Sequence, residues 1–323
     1  MMRVAAIDCG TNSIRLLIAD IAEHGGSPRL TDVVRLMRVV RLGQGVDATG
    51  RLAPAALERT FAALDEYAEL IRAHRADAVR FVATSATRDA SNREDFVDGV
   101  RARLGVEPEV VAGEEEAQLS FAGAVSVFPP LAGEKVLVVD LGGGSTEFVV
   151  GGAGGVEAAL SVDMGCVRFT ERFLHDDPPT PQQVAAAEAE AERLLDEVER
   201  TVPLHAATRV IGVAGSITTV TAHALDLNEY RSSEIDGAEL PIRLVEAAAA
   251  ELLSFPRERR AGLPFMHPGR VDVIGAGALI WRTILRRLED RTRGGITTAL
   301  ASEHDILDGI ALGLFPAPGD PLQ

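Results

Sequence analysis

The chain has 323 residues, 46% of them hydrophobic and 25% charged, an ordinary globular composition with room for two domains. Its formal net charge of −16 excludes the basic face that non-specific nucleic-acid binding requires. No apolar run approaches the roughly 20 residues of a membrane span, and the apolar stretch before Asp8 is too short for a signal peptide.

In chain order, Val4–Ile7 reads as a buried strand, followed by the turn Asp8-Cys9-Gly10-Thr11-Asn12-Ser13 and a second strand over Ile14–Ile21. Leu36–Leu42 reads as a third strand, closed by Gly43 and Gly45. Pro54 opens a helix to about His74, with Leu57, Phe61, Leu64, Ala68 and Ile71 at helical spacing. Ala78–Thr84 returns to strand, and Glu114–Val127 to helix.

After Pro129-Pro130 the pattern restarts. Lys135–Val139 is a strand, Asp140-Leu141-Gly142-Gly143-Gly144-Ser145-Thr146 a turn, and Glu147–Val150 a strand. The strand, Asp-x-Gly turn and strand at Asp8 thus recur at Asp140, a repeat of half a molecule and not of a solenoid unit. The expected division is 1–128 and 129–323, with the last helix free to pack back on the first domain and a ligand cleft between the two. The second half continues with a Thr180-capped helix from Pro181 to about Val202 and a strand at Arg209–Val213. Beyond it come the turn Ala214-Gly215-Ser216 and helices near Thr219–Leu225, Leu244–Leu253, Val271–Leu288 and Glu303–Leu314. The tail Pro316–Gln323 reads as loose.

Chemistry concentrates at the two turns. Backbone N–H groups approach phosphate oxygens closely where no Cβ intervenes, so Gly10, Thr11, Asn12 and Ser13, and Gly142, Gly143, Gly144, Ser145 and Thr146, suit a phosphate cradle. Asp8 and Asp140 end the preceding strands, where a carboxylate can hold a divalent cation beside phosphate. One such turn alone fits a plain hairpin equally well; two at matching positions favour phosphate. The glycines of the second turn lead into a strand and no Gly-Lys-Ser/Thr follows, which excludes dinucleotide and Walker loops.

Glu114-Glu115-Glu116 begins a helix, where acidic residues are expected on dipole grounds alone. One of them could instead align a water as general base, its pKa raised by its carboxylate neighbours. Successive helical residues point about 100° apart, so only one can aim inward, and periodicity does not choose it. Arg88 and Asn92, after the Ala78–Thr84 strand, suit either substrate phosphates or a loop brace. Gly215 and Ser216 open a helix and form either an anion site or a close-packing turn. Cys166 is either a reactive thiol or a small buried residue. With only Cys9 and Cys166 there is no disulfide framework, and a reduced, cytoplasmic setting is expected. The seven histidines show no zinc spacing, and neither Ser145 nor Ser216 lies in a nucleophile elbow.

Taken together, Asp8-x-Gly10-x-Asn12-Ser13-x-Arg15-Leu16, Thr84-Ser85-Ala86-x-Arg88, Gly113-x-Glu115-Glu116-Ala117, Asp140-x-Gly142-Gly143-Gly144-Ser145-Thr146-Glu147, Met164-Gly165-Cys166-Val167-Arg168 and Gly212-Val213-Ala214-Gly215-Ser216 resemble the exopolyphosphatase/guanosine pentaphosphate phosphohydrolase family of the actin-like ATPase superfamily. The resemblance spans nearly the whole chain and implies an α/β protein of two ribonuclease-H-like domains flanking a cleft. It implies water attack on the terminal phosphoryl group of inorganic polyphosphate or of guanosine pentaphosphate. By position, Glu116 matches the catalytic base and Asp140 and Glu147 the metal-site acids, with Asp8 assisting the ion, Mg²⁺ or alternatively Mn²⁺. Arg88 matches a substrate-phosphate arginine, and Arg15, Gly215 and Ser216 complete the implied phosphate-binding set. Thr11 stands where many members have Ser, a conservative departure. Ending near 323, the chain resembles the short members that lack C-terminal helical domains, which implies short-chain substrates. A homodimer is a further expectation from the family. Rival readings are the guanosine pentaphosphate 5′-phosphohydrolase, a phosphotransferase on the same fold, and a non-catalytic polyphosphate- or nucleotide-binding regulator.

Overall fold

A computed structural model describes residues 2–24 and 27–315; the tail at Pro316–Gln323 lies outside the described residues. The chain divides into two compact units, Met1–Ser126 with the C-terminal stretch from Asp305, and Val127–His304. The boundary falls at the last residue of the Gly113–Val127 helix.

In the first unit, β1 (Met2–Cys9), β2 (Ser13–His24) and β3 (Ser27–Val39) form an antiparallel meander. Strands β4 (Ala78–Ala83) and β5 (Glu109–Val110) add in parallel on the far side of β1, giving the order β3-β2-β1-β4-β5. Central β1 is apolar throughout Val4–Ile7 because both faces of the sheet are covered. Ala5, Ile7, Leu16 and Ile18 face Leu64, Tyr67 and Phe96 of the Pro54–His74 and Arg93–Leu104 helices. Val4, Ala6, Leu17 and Ala19 alternate onto the opposite face, against Ile306, Leu307 and Ile310 of the Ile306–Leu312 helix. Burying a Val, Leu or Ile side chain is worth about 1.5–3 kcal/mol, so this short C-terminal helix is an integral part of the first unit. It crosses the Gly113–Val127 helix at two glycines. A Cβ on Gly123 would lie 1.8 Å from the Asp305 carbonyl oxygen, and one on Gly309 2.0 Å from that of Leu119.

The second unit repeats the plan. Strands β6 (Val136–Leu141), β7 (Thr146–Gly152) and β8 (Gly155–Val162) make the meander, and β9 (Arg209–Val213) runs parallel to β6. With β10 (Glu239–Pro241) and β11 (Thr298–Ala301) the order is β10-β11-β9-β6-β7-β8, β11 parallel to β9 and β10 an antiparallel edge. Each unit thus has the ribonuclease-H-like sheet that the resemblance implies. The core of the second sheet packs Leu137, Val139 and Phe148 with Trp281 and Leu285 of the Ile274–Arg291 helix.

Several elements depart from the sequence reading. Strand β3 begins at Ser27 and ends at Val39, so Val40–Leu42 belong to the loop that backs the first turn. This edge strand carries Arg29, Asp32, Arg35 and Arg38, which masks its period in the sequence. The helix opened by Thr180 has the expected cap, a reciprocal box in which Gln183 N–H donates to Thr180 Oγ1, but it ends at Val198. The C-terminal helix starts at Ile306, because Asp305 forms a capping box with Asp308.

Candidate functional site

Each Asp-x-Gly motif folds as a tight hairpin closing the first two strands of its sheet. In the first, Gly10 N–H donates to Ser13 O at 3.0 Å; in the second, Gly142 N–H donates to Ser145 O, also at 3.0 Å. In both, the turn's carbonyls are consumed by the structure behind it. Val40 and Arg41 N–H donate to Asn12 O and Gly43 N–H to Thr11 O. In the second unit, Cys166 N–H donates to Gly142 O and Val167 N–H to Gly143 O, while Arg168 Nε takes Gly144 O at 2.8 Å. Among the described residues nothing accepts the N–H of Thr11, Asn12, Gly143 or Gly144. Carbonyls turned back and amides left over are the local requirement for an anion cradle. The fit around the second turn is close: a Cβ on Gly165 would lie 2.3 Å from Gly143 O.

The residues flanking the turns differ in charge. Asp8 pairs across the ladder with Arg15, and Asp140 with Glu147. Arg15 donates to Asp8 Oδ2 from Nε (2.9 Å) and Nη2 (2.7 Å) and also pairs with Asp305. Asp8 is only 5% exposed, and burial raises its carboxyl pKa above the ordinary value against the opposing pull of Arg15. Its Oδ1 is buried without a hydrogen-bond partner. Glu147 is 1% exposed and accepts from Ser145 Oγ and Ser161 Oγ, each at 2.7 Å on Oε1. Two buried carboxylates opposed across a strand pair repel each other, the arrangement a cation relieves.

Among the described residues no group of three or more His, Cys, Asp or Glu side chains could enclose a metal. An ion at Asp140 and Glu147 would therefore complete its shell with phosphate and water, the usual manner of Mg²⁺. The donor set fits that ion. It does not fit Zn²⁺ in a closed site.

Of the acidic triplet, only Glu116 is buried, at 7% exposure, while Glu114 and Glu115 face solvent and Glu115 pairs with Arg80. Arg88 is one charged group that contacts it. Arg88 Nη1 donates to Glu116 Oε2 at 3.1 Å and to Val111 O at 3.0 Å. No protein partner takes the Nε or Nη2 of Arg88 among the described residues. Asn92 instead braces a loop, through Leu52 N–H and Leu52 O.

Other candidates have local partners. Thr11 and Ser85 hydroxyls meet at 2.9 Å, and Thr146 Oγ1 donates to Met164 O. Ser13 begins β2. Gly215 and Ser216 open the Gly215–Ala224 helix after Ala214, which holds φ at 71°. Cys166 is buried, hydrogen-bonded to Ser216, with its thiol pKa pushed up by burial, so it is the small buried residue of the two readings.

Three neighbours of these groups escaped sequence reasoning: Asp305, Ser161 and Arg270. Arg270 lies against Gly215, where a Cβ would sit 2.4 Å from its Cζ, and donates to Thr219 Oγ1 at 3.1 Å. Asp305 had a readable signal, the Asp305-x-x-Asp308 spacing before an apolar run. Arg270 and Ser161 had none, since only the fold brings them to their turns.

Residues 17–313 match the Ppx/GppA phosphatase family. The chain belongs to that family. It is 50% identical, over 97% of its length and 99% of the relative's, to exopolyphosphatase 2 of Mycobacterium tuberculosis. An exopolyphosphatase-like protein of known structure, 47% identical, superposes with a TM-score of 0.90 over 96% of this chain and 98% of that one. The Ppx/GppA family member from Aquifex aeolicus is 31% identical, with a TM-score of 0.77 over 97% of both chains.

Proposed function

We propose that this protein is an exopolyphosphatase, releasing terminal orthophosphate from inorganic polyphosphate by Mg²⁺-dependent hydrolysis, with short chains preferred. The observation that carries this reading is the 50% identity to an exopolyphosphatase along almost the whole of both chains. The free amides of both turns and the pairing of buried Glu116 with Arg88 support it with the chemistry such a reaction needs.

Glu116 accepts a proton from the attacking water, whose oxygen bonds to the terminal phosphorus as the bridging P–O bond breaks and the shortened chain leaves. Arg88 fixes the orientation of Glu116 with one nitrogen and has further N–H groups for a phosphate oxygen. The amides of Gly143 and Gly144 supply a preorganised cradle for phosphoryl charge. Asp140 and Glu147 would hold Mg²⁺, which when bound offsets the negative charge of the phosphate oxygens. Asp8, paired with Arg15, keeps a free Oδ1 beside the first turn. Cys9 and Cys166 are both free and buried, in keeping with a reducing, cytoplasmic setting. No helix among the described residues is long and apolar enough to cross a membrane.

A phosphate-release assay on tripolyphosphate, long polyphosphate, guanosine pentaphosphate and ATP tests the proposal. Release from short polyphosphate should be fastest, and release from guanosine pentaphosphate alone would overturn it. Glu116→Gln should lower turnover by about 10²–10⁴ while retaining substrate binding; near-normal turnover would remove Glu116 from the role of base.

A further inference from the structure

Three consecutive carbonyls of the second turn point into one segment of chain. Gly142 O accepts from Cys166 N–H at 3.0 Å, and Gly143 O from Val167 N–H at 2.8 Å and Arg168 N–H at 3.2 Å. These donors are the opening amides of the eight-residue Cys166–Phe173 helix, which have no acceptor inside the helix. The third carbonyl differs. Among the described residues no main-chain N–H takes Gly144 O, and Arg168 Nε holds it instead, at 2.8 Å.

A trans peptide sets its C=O and its N–H in opposite directions. The one cis bond among the described residues is Asp177-Pro178, so every peptide of the turn obeys this. Tying back the carbonyls of Gly142, Gly143 and Gly144 therefore turns the N–H groups of Gly143, Gly144 and Ser145 away from the Cys166–Phe173 helix. Like the first two, the N–H of Ser145 has no acceptor among the described residues. The Ser145 hydroxyl is already engaged, donating to Glu147 Oε1 at 2.7 Å.

Arg168 keeps only 13% of its side chain exposed, and its Nη2 lies 3.4 Å from Asp163 Oδ1. It thus sets a mostly buried positive charge against a peptide oxygen. A charged donor binds that oxygen more strongly than a neutral one. It also polarises the peptide, which strengthens the N–H at the other end.

We propose that Arg168 is a positioning residue of the second turn: through Gly144 O it orients and polarises the Gly144–Ser145 peptide, so that Ser145 N–H joins those of Gly143 and Gly144 as a phosphate donor. The inference rests on the reading of this turn as a phosphate cradle. Two amides of the cradle are aimed by the helix backbone, and the third by a side chain that mutation can change.

The test compares wild type, Arg168→Met and Arg168→Gln on tripolyphosphate with saturating Mg²⁺. Gln sets an uncharged N–H donor at the position of Nε, whereas Met keeps the stem and has no donor. Arg168→Met should lower kcat by about tenfold or more and change KM much less, because the amide meets charge that develops on the phosphoryl oxygens. Arg168→Gln should recover most of the loss. A staple with no part in the cradle would lower the unfolding midpoint and leave kcat per folded molecule unchanged. That result would overturn the proposal, as would a Gln variant no faster than Met.

A second measurement needs neither variant nor turnover. Tripolyphosphate added to wild type without Mg²⁺ should move the amide resonances of Gly143, Gly144 and Ser145 more than those of Cys166 and Val167. A Ser145 resonance that stays in place while its two neighbours move would overturn the proposal. Wild type that binds in this way yet releases no phosphate would refute the exopolyphosphatase reading alone.

Discussion

Asp8 and Asp140 occupy the same step of the same strand–turn–strand, each beside a glycine turn closed by the same hydrogen bond. What faces them differs. Arg15 opposes Asp8 and Glu147 opposes Asp140, so one turn pairs unlike charges across the ladder and the other pairs two acids. The first unit extends this pairing: Arg15 also reaches Asp305 on the C-terminal helix cap, and Arg35 reaches buried Asp308 one turn further on. In the second unit Glu147 accepts from the hydroxyls of Ser145 and Ser161. Both copies of the fold thus keep the amide cradle, while the cross-strand position opposite the aspartate differs, and the proposed cation follows that difference.

The largest test of this difference is chemical. Asp140→Asn should reduce Mg²⁺-dependent phosphate release by at least about 100-fold, the order expected when a metal site is damaged. Retained turnover at unchanged Mg²⁺ would mean the second turn does not hold the ion. On the first turn the same logic predicts a stability effect. Arg15→Ala leaves Asp8 and Asp305 buried without their shared cation, and should destabilise the protein by about 3 kcal/mol. The lower end of the usual range applies because Arg15 keeps 20% of its side chain exposed. Denaturant unfolding would show it as a lower midpoint; an unchanged midpoint would make the pair dispensable. The smallest effect should come from Ser161→Ala, which removes one donor from Glu147 and should cost about 1 kcal/mol with Asp140 still in place. Mg²⁺ should recover part of that loss.

Much of this was legible in the sequence because it is local. Strand, turn and strand alternate in period and composition over a dozen residues, and the repeat at Asp140 announced the second sheet. Pro54 and Thr180 marked their helix starts to the residue. Edge strand β3 was misjudged because an edge needs no apolar outer face. The site was legible only in part, for the reason that charge partners are chosen by register and topology. Nothing near Arg15 in the chain points to Asp305, and among the three glutamates periodicity chose none: the family resemblance pointed to Glu116, which is the one buried and held by Arg88. The carry-over of Arg15 as a phosphate ligand meets a guanidinium already occupied by two carboxylates.

The most direct measurement is the shift in thermal unfolding midpoint on adding Mg²⁺, without substrate, to wild type, Glu147→Gln and Arg15→Ala. A ligand that binds the folded state raises stability in proportion to its binding. Mg²⁺ should raise the midpoint of wild type and of Arg15→Ala, and should leave that of Glu147→Gln unmoved. A Mg²⁺ shift that survives Glu147→Gln and disappears with Arg15→Ala would contradict the assignment of the ion to the second turn.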